Sequence, residues 1–144
     1  MIFFIDEDHL AFAGWLAELE LRGHEIVTYE NATEAFGDLS RRPARTVDAV
    51  IIDVMLASGA DVATFPYDSM VVGLRLLRVL CDLNGAVFPS RAIIMTNSIS
   101  EPLRLAIRLG EQLNVPVWDK RSMTSPVHFA DMVETFMASR HASR

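Results

Sequence analysis

Cysteine and lysine are almost missing from this sequence of 144 residues, which has one of each. The single cysteine, Cys81, excludes an internal disulfide bond and fits a reducing compartment. The single lysine, Lys120, stands among basic residues that are otherwise all arginine. The net charge is −6, so the chain lacks the positive balance with which proteins bind nucleic acids non-specifically. We therefore expect no direct contact with nucleic acid.

Long hydrophobic runs are also missing. No apolar stretch approaches the roughly 20 residues that a transmembrane helix needs. The apolar start at residues 2–5 has no basic segment before it, and the acidic residues 6–8 interrupt it at once, which excludes a signal peptide. The sequence therefore predicts a cytoplasmic protein with no membrane segment.

Short apolar runs alternate with amphipathic segments along the whole chain. Five strands are predicted at residues 2–5, 25–29, 48–53, 91–96 and 115–119. Five helices are predicted at residues 9–21, 31–41, 73–83 and 98–113, and from 126 onward. Asn31 with Glu34, and Ser98 with Glu101, have the spacing of helix-capping boxes. Alternation of this kind predicts a single α/β domain with a parallel sheet between helices.

One region, residues 54–72, breaks this alternation and has no clear period. It includes Gly59 and the patch Phe65-Pro66-Tyr67. Long loops in compact domains are often functional, but surface insertions with local packing are also well tolerated. Both interpretations stay open from the sequence.

Polar residues that can take part in chemical reactions stand where four of the predicted strands end. They are Asp6 and Glu7, Asp53, Thr96 and Lys120. The carboxyl ends of parallel strands are where α/β sheets build their sites, so these side chains are candidates for one site. Carboxylates, a hydroxyl and an ammonium together predict phosphate chemistry with a divalent cation. Each residue also has a simpler interpretation, as a helix cap, a turn residue or a solvated charge.

Over about residues 1–138 this arrangement resembles the response-regulator receiver domain. The resemblance implies a doubly wound (βα)5 three-layer sandwich with a parallel five-stranded sheet of order 2-1-3-4-5. Compared with this family, the chain has an insertion at about 56–71, and the basic residues 139–144 are expected to form a flexible tail. The resemblance also implies roles for the strand-end residues: Asp53 is the phosphoacceptor, and Thr96 and Lys120 assist it. Mg²⁺ would be bound by Glu7, Asp53 and the backbone carbonyl of Met55, with Asp6 acting largely through water.

The resemblance implies a signalling function rather than a conventional enzyme. A histidine kinase or phosphotransfer protein would donate a phosphoryl group to Asp53, and a downstream protein partner would read the result. Phosphoryl transfer and hydrolysis would be the only reactions, and both would be self-catalysed. Since receivers often dimerise through helices 4 and 5, a homodimer is a further expectation.

The positions that transmit the signal in this family are altered here. Val117 stands where an aromatic switch residue is usual, and the neighbouring Trp118 is predicted to point to the opposite face of the strand. Val72 replaces an aspartate, and Arg121 replaces a proline after the lysine. We therefore hypothesise a different coupling, with the 54–72 insertion as a lid or partner surface.

Two other interpretations compete with a phosphorylated receiver. One is a pseudo-receiver, a protein-binding module of the same fold that is not phosphorylated. The other is a phosphatase of the haloacid-dehalogenase type, whose motifs resemble the acids after strand 1, the threonine and the lysine. That family needs acidic metal ligands after the lysine, where only Asp131 and Glu134 are available in the last helix, and it leaves Asp53 without a role.

Overall fold

A computed structural model of the chain describes residues 1–66, 71–84, 88–97 and 99–142. One parallel sheet of five strands has the order β2-β1-β3-β4-β5. The strands are β1 Ile2–Ile5, β2 Ile26–Tyr29, β3 Ala49–Asp53, β4 Ala92–Thr96 and β5 Val117–Asp119. The predicted fold class and strand order are confirmed. β1, β3 and β4 are buried along their whole length, as expected for central strands with helices on both faces.

Five α-helices connect and follow the strands. They are α1 Ala13–Leu21, α2 Ala32–Leu39, α3 Val72–Asn84, α4 Glu101–Leu113 and α5 Pro126–Ala142. The first predicted helix is divided, because a 3-10 turn, His9–Phe12, precedes α1. At the other end α5 continues to Ala142, so residues 139–142, predicted as part of a flexible tail, are helical. Within the described ranges, no helix is long and apolar enough to span a membrane.

The two predicted capping boxes have different outcomes. The Asn31 side chain accepts a hydrogen bond from the Glu34 backbone N–H at 2.9 Å, which confirms it as the N-cap of α2. Ser98 lies outside the described residues. The N-cap position of α4 is Ser100, whose side chain makes no capping hydrogen bond.

The apolar core has two layers that share the sheet. Alternate residues of β1 illustrate the division: Phe3 and Ile5 face α2, α3 and α4, whereas Ile2 and Phe4 face α1 and α5. The result is the three-layer sandwich expected from the resemblance. With both faces of the central strands covered by apolar side chains, the carboxyl edge of the sheet is left for the polar groups.

The inserted segment packs on α2 over its described part, residues 54–66. The Ala57 carbonyl accepts the Ala32 N–H at 2.8 Å, and the Ser58 carbonyl accepts the Thr33 N–H and hydroxyl at 3.0 and 2.7 Å. Phe65 is completely buried, with its ring 6.1 Å from that of Phe36. This part of the insertion is therefore packed against the domain, as one of the two interpretations of the sequence expected. Tyr67 lies outside the described residues.

Trp118 and Val117 face opposite layers, as the alternation along a strand predicts. Trp118 packs on the α5 side, where its ring lies 6.3 Å from that of Phe136. Val117 packs on the other side with the α3 and α4 layer. Trp118 therefore cannot occupy the position where the resemblance implies an aromatic residue, because its side chain lies on the opposite face of β5 from that of Val117.

Candidate functional site

Three of the predicted site residues lie together at the carboxyl edge of the sheet. The Lys120 ammonium is 2.7 Å from Oδ2 of Asp6 and 3.2 Å from Oδ1 of Asp53. β1 and β3 are neighbours, so the two carboxylates come close together directly. β5 is two places from β3, and the four-carbon stem of the lysine spans that distance. The three side chains form a buried charge cluster, with side-chain exposures of 12% for Lys120, 2% for Asp6 and 9% for Asp53.

Asp6 is held in place by its own backbone and by the next turn. Its N–H donates to the Tyr29 carbonyl at 3.0 Å, which continues the β1–β2 ladder by one residue. Its Oδ1 accepts the Asp8 N–H at 2.9 Å, and its Oδ2 accepts from Lys120. Because each carboxylate oxygen has a separate donor, Asp6 forms a fixed base for the cluster.

Asp53 has an unusual electrostatic environment at the end of β3. The pKa of its carboxyl is raised to about 6, because burial and the negative charge of Asp6 raise it by more than Lys120 lowers it. Burial also lowers the pKa of Lys120, but the two facing carboxylates outweigh this and leave that pKa above its usual value. Two carboxylates thus share one ammonium, and the cluster has surplus negative charge that a cation would neutralise.

Phe12 contributes a contact that the sequence pattern did not predict. The Lys120 ammonium lies 5.1 Å from the centroid of the Phe12 ring, within the range of a cation–π interaction. Phe12 ends the 3-10 turn before α1 and also packs in the apolar layer of α1 and α5, beside Phe4 and Trp15. The ring thus adds an apolar contact to an ammonium that also pairs with two carboxylates.

Thr96 ends β4 at the same edge of the sheet and is almost completely buried. In the register of the sheet, Thr96 is paired with Asp119 of β5, the residue before Lys120. The residue before Thr96, Met95, is paired with Asp53 of β3. The backbone of Thr96 therefore reaches the carboxyl edge of the sheet, where β3 ends in Asp53.

Glu7 and Met55 occupy the rim of this site, where both are exposed. The charge of Glu7 contributes to the raised pKa of Asp53. Among the residues that the structure describes, no three histidine, cysteine, aspartate or glutamate side chains are grouped as a ready metal site. The donors are nevertheless of the right chemistry for Mg²⁺, since they are hard carboxylate oxygens with surplus negative charge.

Gly73 places the start of α3 directly against the backbone of Asp53. A Cβ atom at this position would lie 1.8 Å from the Asp53 carbonyl oxygen, and the Gly73 N–H donates to the Val54 carbonyl at 3.0 Å. Only glycine permits this approach. The sequence signal for this contact is a glycine at the start of the predicted third helix.

Asp131 and Glu134, the two acids that follow the lysine, are held elsewhere. Both accept hydrogen bonds from Arg22, at 2.8 and 3.0 Å, and so connect α5 with the end of α1. Glu134 also contacts His24 at 2.8 Å. Neither acid joins the Lys120 cluster, which opposes the haloacid-dehalogenase interpretation.

Comparison with known proteins gives a likeness in structure only. No protein-family model matches the chain, and no curated protein matches it. A CheY-like response regulator receiver domain protein from Methanospirillum hungatei JF-1 superposes with a TM-score of 0.72 at 15% identity, covering 99% of this chain and 97% of that one. A response regulator receiver domain protein from Clostridium thermocellum gives 0.71 at 18% identity, covering 99% and 98%.

The chain has the receiver fold. A structure described as an adenylate cyclase from Rhodopirellula baltica also matches, with a TM-score of 0.68 at 12% identity and coverage of 99% and 90%. At such identities the likeness concerns the fold, and function has to be argued from the site.

Proposed function

We propose that this protein is a response-regulator receiver that accepts a phosphoryl group on Asp53. The observation that supports this most strongly is the contact of Lys120 with both Asp6 and Asp53 at the carboxyl edge of a receiver fold. A histidine kinase or a phosphotransfer protein would be the donor. The output would be a change in contacts with a downstream protein.

In the proposed reaction, a carboxylate oxygen of Asp53 attacks phosphorus in line. The new P–O bond forms as the bond from phosphorus to the donor nitrogen breaks, and the donor keeps that electron pair. Attack requires the ionised carboxylate, which predominates above the raised pKa of about 6. Lys120 would neutralise charge on the phosphoryl oxygens, and the Thr96 hydroxyl would donate a hydrogen bond to one of them.

Mg²⁺ is the implied cofactor of this reaction. Bound by Asp53, Glu7 and the Met55 carbonyl, with Asp6 acting through water, it would supply further neutralisation of phosphoryl charge. Lys120 already contacts one oxygen of each buried carboxylate, so it has to share Asp53 with the cation. A lysine suits this task because its ammonium is a compact charge on a flexible stem, unlike the planar fork of arginine.

Phosphorylation by acetyl phosphate tests the proposal directly. Protein incubated with acetyl phosphate and Mg²⁺ is expected to gain the mass of one phosphoryl group, measured on the intact chain. Asp53→Asn should remove the label. Asp48→Asn, the same change at the other end of β3, should retain it. Labelling that persists in Asp53→Asn would refute the site assignment.

A pseudo-receiver that binds partners without phosphorylation is the second candidate. It is favoured by Val117 at the usual switch position, and Lys120 would then serve to hold Asp6 and Asp53 together as a structural ion pair. The same assay separates the two functions. Wild-type protein that stays unlabelled, under conditions that label a known receiver, would favour the second.

A further inference from the structure

A cleft of about 690 Å³ lies between α3 and α4, on the side of the sheet away from α1 and α5. We call it the α3–α4 cleft. Its floor is apolar and consists of Val71, Leu74, Leu105 and Leu109. The inserted segment closes one side with Thr64 and Pro66. The volume is in the range of ligand-binding clefts.

Three exposed arginines surround the opening of this cleft: Arg75 and Arg78 on α3, and Arg108 on α4. Arg75 donates to the Thr64 carbonyl and Arg78 to the Gln112 side-chain oxygen, both at a long 3.4 Å. Over residues 1–66, 71–84, 88–97 and 99–142, no carboxylate forms a salt bridge with any of the three. A chain with a net charge of −6 thus presents a positive rim around an apolar floor.

We propose that the α3–α4 cleft binds an acidic amphipathic segment of a partner protein. Apolar side chains of the segment would lie on the leucine floor, and its carboxylates would pair with the arginines of the rim. The spacing of the charges favours such a segment over a single small anion. Arg75 and Arg78 lie one turn apart on α3, and Arg108 belongs to the opposite wall. Charges distributed in this way match carboxylates spread along a helix.

The cleft is also connected with the proposed phosphorylation site. α3 and α4 follow the strands that end in Asp53 and Thr96, and α3 begins against the Asp53 carbonyl at Gly73. A phosphoryl group that shifts this edge of the sheet would change the width of the cleft, and partner binding would in turn change phosphorylation. This coupling rests on the proposed function, whereas binding to the cleft does not.

The binding test uses a defined probe and no phosphodonor. The probe is a fluorescein-labelled synthetic peptide of about 14 residues, with leucines at i, i+3, i+4 and i+7 and glutamates beside them. We expect a dissociation constant below about 1 mM that weakens with added salt, and amide shifts in NMR spectra confined to α3, α4 and the inserted segment. A scrambled peptide of the same composition should bind at least about tenfold more weakly, since it lacks the apolar face.

Paired charge reversals provide the control. Arg78→Glu with Arg108→Glu should weaken binding by at least about tenfold. Arg41→Glu with Arg45→Glu, an equal change at exposed positions between α2 and β3, should leave binding unchanged. All four substitutions are at exposed positions, and far-ultraviolet circular dichroism verifies that both variants are folded.

Three outcomes would overturn the proposal. They are no binding at about 1 mM peptide, equal loss in both charge-reversed variants, and the same amide shifts with inorganic phosphate or N-acetylglutamate alone. The last would identify a simple anion site. The peptide test contains no phosphodonor, so failure here leaves the phosphorylation proposal untouched and failure of phosphorylation leaves the cleft untouched.

Discussion

At the scale of single residues, the site depends on an imbalance between two buried carboxylates and one ammonium. Both oxygens of the Asp6 carboxylate accept hydrogen bonds, so the repulsion between the two carboxylates raises the pKa of Asp53. Its raised pKa makes the folded protein hold a proton that the unfolded chain releases at lower pH. This affects both reactivity and stability.

Asp53→Asn should therefore stabilise the protein at neutral pH. The folded pKa of about 6 lies above the unfolded value of 3.8, so stability from the neutral carboxyl is complete below about pH 4 and is lost as pH rises through 6. A shift of this size corresponds to on the order of 3 kcal/mol at about pH 7.5. Urea unfolding in EDTA should show the variant as more stable at pH 7.5 and equal to wild type near pH 4. A constant difference across this range would contradict the assigned origin of the shift.

Lys120→Met should have the opposite effect. It leaves two buried carboxylates without a cation, at a cost of about 3 kcal/mol or more near neutral pH. The cost should be smaller in Asp53→Asn, where only one carboxylate remains, and a double-mutant cycle measures the difference. Arg121→Met, a change at the exposed neighbour, should alter stability little. Equal costs in both backgrounds would show that Lys120 and Asp53 do not interact.

The residues of the cluster could be predicted because each stands where an apolar run stops. Asp6, Asp53, Thr96 and Lys120 all reach the same edge of the sheet by this rule. Phe12 could not be predicted in the same way. Its contact with Lys120 depends on a 3-10 turn, and the spacing of apolar residues does not distinguish such a turn from the first turn of a helix.

At the scale of elements, α3 depends on the absence of a side chain at its start. Gly73→Ala would place a methyl group in the Asp53 carbonyl and should cost about 3 kcal/mol, the upper end for overpacking. Gly14→Ala, in α1, has open space around it and should stabilise by about 0.5–1 kcal/mol. Chemical denaturation measures the free energy of unfolding of both variants. Similar changes in the two variants would show that α3 moves freely away from Asp53.

The inserted segment depends on one buried ring. Phe65→Ala should cost about 3–5 kcal/mol, because the ring fills the space beside Phe36. Val62→Ala, at an exposed position of the same segment, should cost far less. Thermal unfolding followed by circular dichroism measures both. A small loss for Phe65→Ala would mean that the segment is not held by its packing on α2.

The existence of this insertion was visible in the sequence, but its attachment was not. Residues 54–66 have no period, and they are held by backbone hydrogen bonds to the first turn of α2. The bonds between backbone groups are independent of side-chain type, so no residue pattern indicates them; the Thr33 hydroxyl and the Phe65 ring add side-chain contacts. The helices and strands were predictable to within a few residues because apolar spacing determines which face is buried.

At the scale of the whole molecule, one sheet connects two apolar layers. Both tryptophans, Trp15 and Trp118, pack in the layer of α1 and α5. Leu77 is completely buried in the other layer. Leu77→Ala should lower stability by about 2–5 kcal/mol, with coincident midpoints in tryptophan fluorescence and circular dichroism, because the shared strands make unfolding cooperative. Midpoints that separate would show that the layers unfold independently.

The contact between Asp6 and Lys120 joins residues that are 114 positions apart. On the ribosome, Asp6 and Asp53 emerge well before the lysine that offsets their charge. At roughly 5–20 residues per second, this interval lasts several seconds. During that time the first three strands contain both acids, and the lysine that offsets their charge has not yet been made. The charge cluster at the carboxyl edge of the sheet is thus completed only after β5, the last and shortest strand described, has been made.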